Sequence, residues 1–587
     1  MTTAKIVKCA IHPAIGIARV GNSPDQYFIG PEVPGILDSP AAGYKDEHGR
    51  IKRQAARFRI YGLDSAGNVV RELSMTDNDV DSISWTVHLA NKKAAWYNFD
   101  LALDIPVAAE LKSNLRNSYL QTPEERAKLI IDPGSRTLSA PNEQARFDTG
   151  TFQDTKVELG EIFTDSTGHL VVLGGFGHSS SPDGSDVYTF ANNDGWHDDT
   201  SDGPVSARVV IDGEELEVEP AWVIVAPPDF APGIYGVVTM YDIALEAAHS
   251  LHPVPIEVSF AKHILPIFTR FSLTQWVNEG FYREFGYKAP WDFLNPELLQ
   301  HLADPSAEMR PLRQEIFEKF RHPSYEKMER DAWPPVYGDG MDVPAYNPRN
   351  WLTMTRLQYA WLEQWAQGNF ISDYSETAAA PAQRLEDLPL ADRPHALDEA
   401  ALEWALGGAF HPGCEATWPM RILSLYSAPF RIKHAPPGKR EDFGPVLTAE
   451  IALGADGPLS GGSLPGDLTR WMAVPWQTDT ASCRSGYEPK INKYLPTFWP
   501  ARVPNHVLSE ENYKIVMNEN LTMPERQDAF DTRTDWLEAF PSSTKNLNRF
   551  VEDWYKVGVI VRQDGPADTK RFPSSIHVEM GNELKTK

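Results

Sequence analysis

Residues Ala55-Ala-Arg-Phe-Arg-Ile-Tyr-Gly-Leu63 alternate apolar with polar side chains, which is the two-residue period of a β-strand. Shorter runs of the same character occur at Arg208–Ile211, Leu216–Val225 and His169–Leu173. Asp212-Gly213 supplies a hairpin-type turn between two of them. We therefore expect the N-terminal part of the chain to be β-rich, with antiparallel sheets.

The second part of the chain has a different pattern. Apolar residues recur at helical spacing over Ile243–Ser250, Ser306–Phe320 and Leu352–Gln367. Many prolines interrupt these runs and indicate long irregular connections. We predict an α+β protein in which a β-rich N-terminal domain, residues 1–245, joins a larger and mainly helical domain, residues 246–587.

Composition narrows the class of function. The chain has 587 residues with 55 basic and 81 acidic side chains, and its net charge is −26. Such an acidic protein repels nucleic acid and anionic lipid surfaces, so we expect it to bind neither. Met1–Ala10 lacks the apolar segment of a secretory signal peptide, and no run of 18 apolar residues occurs. We expect synthesis in the cytoplasm without a signal peptide, with export by a non-standard route left open.

The three cysteines, Cys9, Cys414 and Cys483, are far apart and form no Cys-x-x-Cys pair. A disulfide scaffold and a structural zinc cluster are therefore poorly supported, and each cysteine is either a buried apolar residue or a thiol with a chemical role. The chain also lacks a Gly-x-Ser-x-Gly elbow, a phosphate-binding loop and a His-Glu-x-x-His pair. These absences weigh against hydrolases and nucleotide-dependent enzymes.

An acidic run between Asn192 and Pro204 brings together four carboxylates and a histidine: Asp194, His197, Asp198, Asp199 and Asp202. Carboxylates at this density suit calcium or magnesium, so a metal-dependent enzyme is one alternative. The ordered spacing of an EF-hand is missing, however, and aspartates also favour turns for local reasons. We assign no metal. His197 either lines a pocket or is a surface histidine.

Two further segments combine reactive side chains. In the loop Gly407–Pro419, His411 precedes Cys414 by three residues, which suits either a functional loop or a helix end followed by a packed turn. In the segment Trp471–Arg484, Asp479 precedes Cys483 by four residues. If that segment is helical, the carboxylate and the thiol share one face. Arg484, which directly follows the cysteine, would favour the thiolate form of Cys483. A structural ion pair is the alternative.

Several segments taken in order resemble the cysteine tryptophylquinone-dependent amino-acid oxidases, the family of L-lysine 6-oxidase and glycine oxidase. The resemblance extends over nearly the whole chain and rests on Ile11–Ser23, Ile29–Glu32, Ile51–Phe58, Trp85–Phe99, Gly195–Val205, Gly407–Trp418, Asp467–Cys483 and Phe550–Ile560. The family carries a quinone formed from a cysteine and a tryptophan of the same chain.

The resemblance implies roles for particular residues. Cys483 is the expected thioether donor, and Trp554 is the expected quinone, with Trp536 as the second choice. Asp479 matches the aspartate that the family needs for cofactor formation, and we expect it to act as the general base. His411 and Cys414 match loop positions near the quinone. His197 stands where relatives tend to carry an aromatic residue in the substrate channel, so all three are expected to contact substrate.

The activity implied by the resemblance is oxidative deamination of a primary amine of an amino acid. Dioxygen is the acceptor, and ammonia and hydrogen peroxide are released. The resemblance also implies a separate flavoprotein that completes the quinone, and we expect a homo-oligomer. Whether the α-carbon or the ε-carbon is oxidised stays open. A second alternative is a family member that never forms its quinone and serves as a non-catalytic binding protein.

Overall fold

The structure is a computed structural model, and it describes residues 5–35, 40, 43–340, 346–375, 384–409, 418–436, 438–439, 441–483, 499–541 and 543–585. The strands of the first part are β1 (Lys8–His12), β2 (Ile15–Arg19), β3 (Tyr27–Ile29), β4 (Arg53–Leu63), β5 (Val69–Leu73), β6 (Val80–Val87), β7 (Ser113–Asn114), β8 (Arg136–Leu138), β9 (Gln144–Arg146), β10 (Gly150–Phe152), β11 (Thr155–Val157), β12 (Gly160–Thr164), β13 (Leu170–Gly174), β14 (Ser201–Ile211), β15 (Glu214–Glu219) and β16 (Ala221–Ala226).

One large sheet of 13 strands dominates this part, in the order β1-β15-β14-β16-β2-β4-β13-β12-β9. Strands β3 and β5 pair with β4, and β6 pairs with β14 and β8. The pairs are antiparallel except β1–β15, β16–β2 and β3–β4, which are parallel. The predicted fold class, a β-rich N-terminal part joined to a helical part, is confirmed, and the sheet is mixed rather than purely antiparallel.

The alternating run 55–63 lies in β4, which pairs with five other strands of this sheet. Its arginines are nevertheless largely buried, and each meets a carboxylate. Arg57 contacts Glu32 at 2.8 Å, and Arg59 contacts Glu72 at 2.9 Å. The polar half of the alternation therefore marks buried ion pairs and not a solvent-exposed face.

The predicted strand Leu216–Val225 is wrong in one respect, because it is two strands. Pro220 lies between β15 and β16, and proline has no backbone N–H to donate to a sheet. β15 pairs with β14 and β1, and β16 then runs between β14 and β2.

The second part is mainly helical. Its α-helices are Met240–Leu251, Leu265–Leu273, Glu279–Phe285, Pro296–Ala303, Arg310–Phe317, Arg356–Gln367, Arg393–Glu403, Ala449–Leu453, Trp476–Ser482, Glu510–Met517, Met523–Asp531 and Thr544–Asp553. A further short helix, Pro123–Ala127, lies in the first part. Short strands also occur here: β17 (Tyr426–Ala428), β18 (Arg431–Ile432), β19 (Val446–Leu447), β20 (His506–Val507), β21 (Thr534–Asp535), β22 (Val559–Asp564) and β23 (Ser575–Met580). None of the helices in the described ranges has the length and apolar content needed to cross a membrane.

One large apolar core joins the two parts. It contains side chains of the large sheet, such as Phe58 and Val225, together with Trp476, Cys483 and Trp554 from the second part. The elements that carry the expected quinone residues are therefore packed against the sheet. The division at residue 245 stays a prediction.

Candidate active site

Asp479 and Cys483 are brought together by a short helix, Trp476–Ser482, which we call the Asp479 helix. Cys483 is the residue that follows its last turn, so the two side chains are separated by one turn and share a face. Cys483 Sγ lies 3.9 Å from Asp479 Oδ2, and both residues are completely buried. A thiol and a carboxylate therefore share one enclosed site.

The start of the Asp479 helix is fixed by a buried ion pair. Lys93 Nζ contacts Asp198 Oδ2 at 2.8 Å, and both side chains are fully buried. The same oxygen accepts a hydrogen bond from the backbone N–H of Trp476 at 3.0 Å, while Asp198 Oδ1 accepts from Asn91 and Thr200. Burial lowers the pKa of Lys93, and the Asp198 carboxylate opposes that shift. The pair ties the helix to the first part of the chain.

Trp554 lies at the end of a second helix, Thr544–Asp553, which packs against the Asp479 helix. Its indole meets Trp476 edge to face, with ring centroids 5.3 Å apart. Trp536 is also buried, but it packs on Phe230 at 5.0 Å and donates its indole N–H to the Gly558 carbonyl at 2.8 Å. Of the two tryptophans, Trp554 is therefore the one seen to contact the Asp479 helix.

A glycine-rich turn after β13 also packs against Trp554. Gly177 has a φ of 76°, and an ideal Cβ placed on it would overlap the Trp554 indole. Gln477, from the Asp479 helix, donates its Nε2–H to the Gly177 carbonyl at 3.1 Å and accepts from Ser179 Oγ at 2.7 Å. The turn, the Asp479 helix and Trp554 thus form one packed unit.

Asp199 lies beneath this turn. Its Oδ2 accepts the backbone N–H of His178 at 3.0 Å, and its Oδ1 has no hydrogen-bond partner among the described residues. Burial raises the pKa of Asp199 to about 7, with the neighbouring Asp198 carboxylate adding to the shift. The Asp199 carboxyl beneath the turn therefore changes its protonation state near neutral pH, far above the range of an ordinary aspartate.

His197 is buried beside the same turn and is not a surface histidine. Its Nε2 lies 2.9 Å from Ser180 Oγ, and its ring packs on Phe152 with centroids 5.0 Å apart. Burial lowers the pKa of His197 to about 4, so the ring is neutral at physiological pH. His411, Cys414 and Arg484 lie outside the described residues.

The four aspartates of the acidic run have separate partners. Asp194 accepts from the Asn117 backbone N–H, and Asp202 accepts from Thr469 and from the Trp222 indole. Asp198 and Asp199 have the partners given above. In the described part of the chain no group of three or more His, Cys, Asp or Glu side chains is arranged to hold a metal ion. The geometry gives the metal-dependent alternative no support.

A cavity of about 290 Å³ is lined by Gly408 and Arg421 together with residues of other segments. Arg421 pairs there with Asp104 at 2.7 Å and with Asp339 at 2.9 Å. The cavity is therefore lined by side chains of both charges, and these pair with one another.

The residues present fit a quinone built from Cys483 and Trp554. The thiol is enclosed with a carboxylate, the two helices that end beside these residues pack together, and both side chains belong to one core. Gly177 leaves room against the indole where any other residue would place a Cβ. The supporting contacts of Lys93 and Gln477 carry no sequence signal, because their partners lie 105 and about 300 residues away. The sequence signal for the turn is the group of glycines at the end of β13, Gly174, Gly175 and Gly177.

Comparisons with known proteins agree with this architecture. A family model described as L-Lysine epsilon oxidase N-terminal matches residues 12–225, and one described as L-lysine epsilon oxidase C-terminal domain matches residues 338–499. The chain is 29% identical over 580 residues to the L-lysine 6-oxidase of Marinomonas mediterranea, covering 83% of this chain and 73% of that protein. The two family matches together span well over half of the chain.

Solved structures show the same fold. The crystal structure of the L-Lys epsilon-oxidase from Marinomonas mediterranea matches with a TM-score of 0.71 at 24% identity, covering 98% of this chain and 95% of that one. The crystal structure of the Schiff base intermediate of that enzyme with L-Lys matches equally well. From its family matches and its fold, the chain belongs to the L-lysine epsilon oxidase family.

Proposed function

We propose that the protein is a quinoprotein amino-acid oxidase that deaminates a primary amine of an amino acid with dioxygen and releases ammonia and hydrogen peroxide. Membership of the L-lysine epsilon oxidase family supports an amino-acid oxidase. The observation that carries the proposal is the packing of Trp554 on Trp476, which begins the helix leading to Asp479 and Cys483.

Cys483 and Trp554 would together form the quinone, which supplies an electrophilic carbonyl and accepts two electrons from the amine. Forming it removes three ring hydrogens and the thiol hydrogen, joins sulfur to the ring and adds two ring oxygens. Two dioxygen molecules balance this change, because their other two oxygen atoms leave with the four hydrogens as water. A separate flavoprotein is the proposed partner that carries out the oxygen chemistry.

The other residues bind, orient and exclude water. Asp479 is the proposed general base that accepts a proton from the carbon bearing the amine, and its complete burial keeps water away from the carboxylate. Asp198 and Lys93 hold the Asp479 helix in place. His197, neutral and buried near the turn, is a proposed wall of the substrate channel. His411 and Cys414 remain proposed substrate contacts.

Lysine is the favoured substrate, because the matched relatives are named for L-lysine oxidation at the ε position. The cavity beside Gly408 and Arg421 is a proposed entrance for an amino acid, since its walls offer both acidic and guanidinium groups. A homo-oligomer stays a prediction, which light scattering of the purified protein would check.

Peroxide and ammonia release tests the proposal directly. Protein coexpressed with its flavoprotein should release both from L-lysine, and a panel including glycine would rank the amines. Asp479→Asn should abolish release, whereas Asp64→Asn, in an exposed turn far along the sequence, should leave it unchanged. A protein that carries the quinone yet releases no peroxide from any amino acid would contradict the oxidase and favour a binding role.

A further inference from the structure

Gly177 lies so close to the Trp554 ring that a side chain at this position would meet a particular edge of the ring. An ideal Cβ on Gly177 would overlap Cζ2 of Trp554 and would lie 2.9 Å from Cη2 and 3.0 Å from Cε2. These two atoms are the ring neighbours of Cζ2, and the Cβ would be nearly equidistant from them. A point directly above Cζ2 would be closer to both neighbours, and a point in the ring plane would be farther from both. The Cβ would therefore lie beyond the ring edge and toward one face of the ring, where it would overlap an oxygen placed on Cζ2.

The turn that carries Gly177 is held firmly on both sides. Gln477 binds the Gly177 carbonyl at 3.1 Å from the Asp479 helix, and Asp199 accepts the His178 N–H at 3.0 Å from below. Gly175, two residues earlier, is so close to Asp199 that a Cβ there would overlap the carboxylate. Because these contacts resist retreat of the turn, added bulk at Gly177 must be accommodated at the indole.

We propose that Gly177 is a positioning residue for maturation of Trp554: by having no side chain, it keeps open the space in which an oxygen added to Cζ2 must lie. The inference rests on the proposed function, because it assumes that the indole is oxygenated and that one of the two oxygens is added at Cζ2. It assigns to Gly177 the role of leaving room for a new substituent on the Trp554 ring.

Gly177 also has a backbone conformation that favours glycine, and this effect must be separated from the need for space beside Trp554. Its φ of 76° lies in the left-handed region, where glycine is favoured whatever the surroundings. Gly184 provides the matched control, since its φ is 72° and an added Cβ would meet no atom within 4 Å. An alanine at either position has the same backbone strain, but at Gly177 alone of the two it also fills the space beside Cζ2.

The test compares Gly177→Ala and Gly184→Ala in the full chain, each coexpressed with the flavoprotein, by peptide mass. We expect Gly184→Ala to carry the Cys483–Trp554 link with two ring oxygens, as the unsubstituted protein does, and Gly177→Ala to lose the oxygens. Equal modification in both variants would overturn the inference and leave the proposed function standing. Unmodified peptides in the unsubstituted protein would instead contradict the proposed function.

A second measurement addresses the space itself, without any need for the quinone. Gly177→Ala should lower the melting temperature more than Gly184→Ala does, and the difference should shrink when Trp554→Phe removes the Cζ2 edge. If Gly177→Ala fails to fold, the double variant with Trp554→Phe should recover folding. An equal loss of stability in both backgrounds, or a double variant that stays unfolded, would overturn the inference.

Discussion

Trp476 and Trp554 meet edge to face, with ring centroids 5.3 Å apart and planes inclined at 72°. Trp476 begins the Asp479 helix, and Trp554 follows the helix that packs on it. The contact therefore brings the thiol and carboxylate of one helix and the indole at the end of the other into one core. A buried aromatic pair of this kind contributes about 0.5–1.5 kcal/mol beyond its buried area, so it helps to hold the two helices together.

The two candidate tryptophans should respond differently to substitution. Trp554→Phe should abolish the cross-link and the peroxide release, because the indole itself is consumed in the quinone. Trp536→Phe should keep both. It should cost about 1–3 kcal/mol of stability, since it leaves the buried Gly558 carbonyl without its indole donor. Peptide mass and urea unfolding measure the two effects, and loss of the link in Trp536→Phe would reverse the assignment.

The buried pair of Lys93 and Asp198 should be a large single contributor to stability. Asp198→Ala should cost about 3–5 kcal/mol, because it leaves the buried Lys93 ammonium unpaired and frees the Trp476 N–H. The double variant Lys93→Met/Asp198→Asn removes both charges and should be more stable than Asp198→Ala. Denaturant unfolding measures all three proteins, and a cost below about 1 kcal/mol for Asp198→Ala would contradict this role.

The raised pKa of Asp199 predicts a specific pH dependence. The folded protein keeps this proton up to about pH 7, whereas the unfolded chain loses it near pH 4. Asp199 therefore lowers stability progressively as the pH rises from about 4 to 7, by at most about 4 kcal/mol. Asp199→Asn mimics the protonated form and should gain stability relative to the unsubstituted protein over this range.

Unfolding midpoints at pH 4.5, 6 and 8 would check the Asp199 prediction. The difference between the two proteins isolates Asp199 from groups with the opposite dependence, such as His197, whose pKa is lowered to about 4. As the pH falls, the unfolded chain protonates His197 before the folded protein does, so the protein loses stability. This loss is the same in both proteins. A stability difference that stays constant across the pH range would contradict a raised pKa at Asp199.

The limits of sequence-based prediction are clear in particular elements. The alternation at 55–63 predicted a strand correctly, because a two-residue period is a local property. It did not reveal that Arg59 is buried, since its partners Glu32 and Glu72 come from other segments. The break at Pro220 was missed although the residue was visible, because apolar residues on both sides suggested one continuous strand.

In the candidate site, too, the sequence predicts local geometry but not contacts between distant segments. The i, i+4 relation of Asp479 and Cys483 depends on local helix geometry and was available from the sequence. The contacts of Lys93 with Asp198, and of Gln477 with Gly177, join residues that are distant along the chain. Hydrophobic periodicity contains no information on such pairs. The prediction of Trp554 as the quinone depends on the family resemblance, because its spacing from Cys483 carries no structural information.

Cys483 and Trp554 are proposed to form one modified unit, and peptide mass of the protein coexpressed with its flavoprotein tests this link most directly. We predict a linked Cys483–Trp554 peptide pair with two added oxygens. Cys483→Ala should lose the link, whereas Cys9→Ala should keep it, because Cys9 is buried in β1 with a thiol pKa raised to about 11. Separate and unmodified Cys483 and Trp554 peptides would contradict the claim.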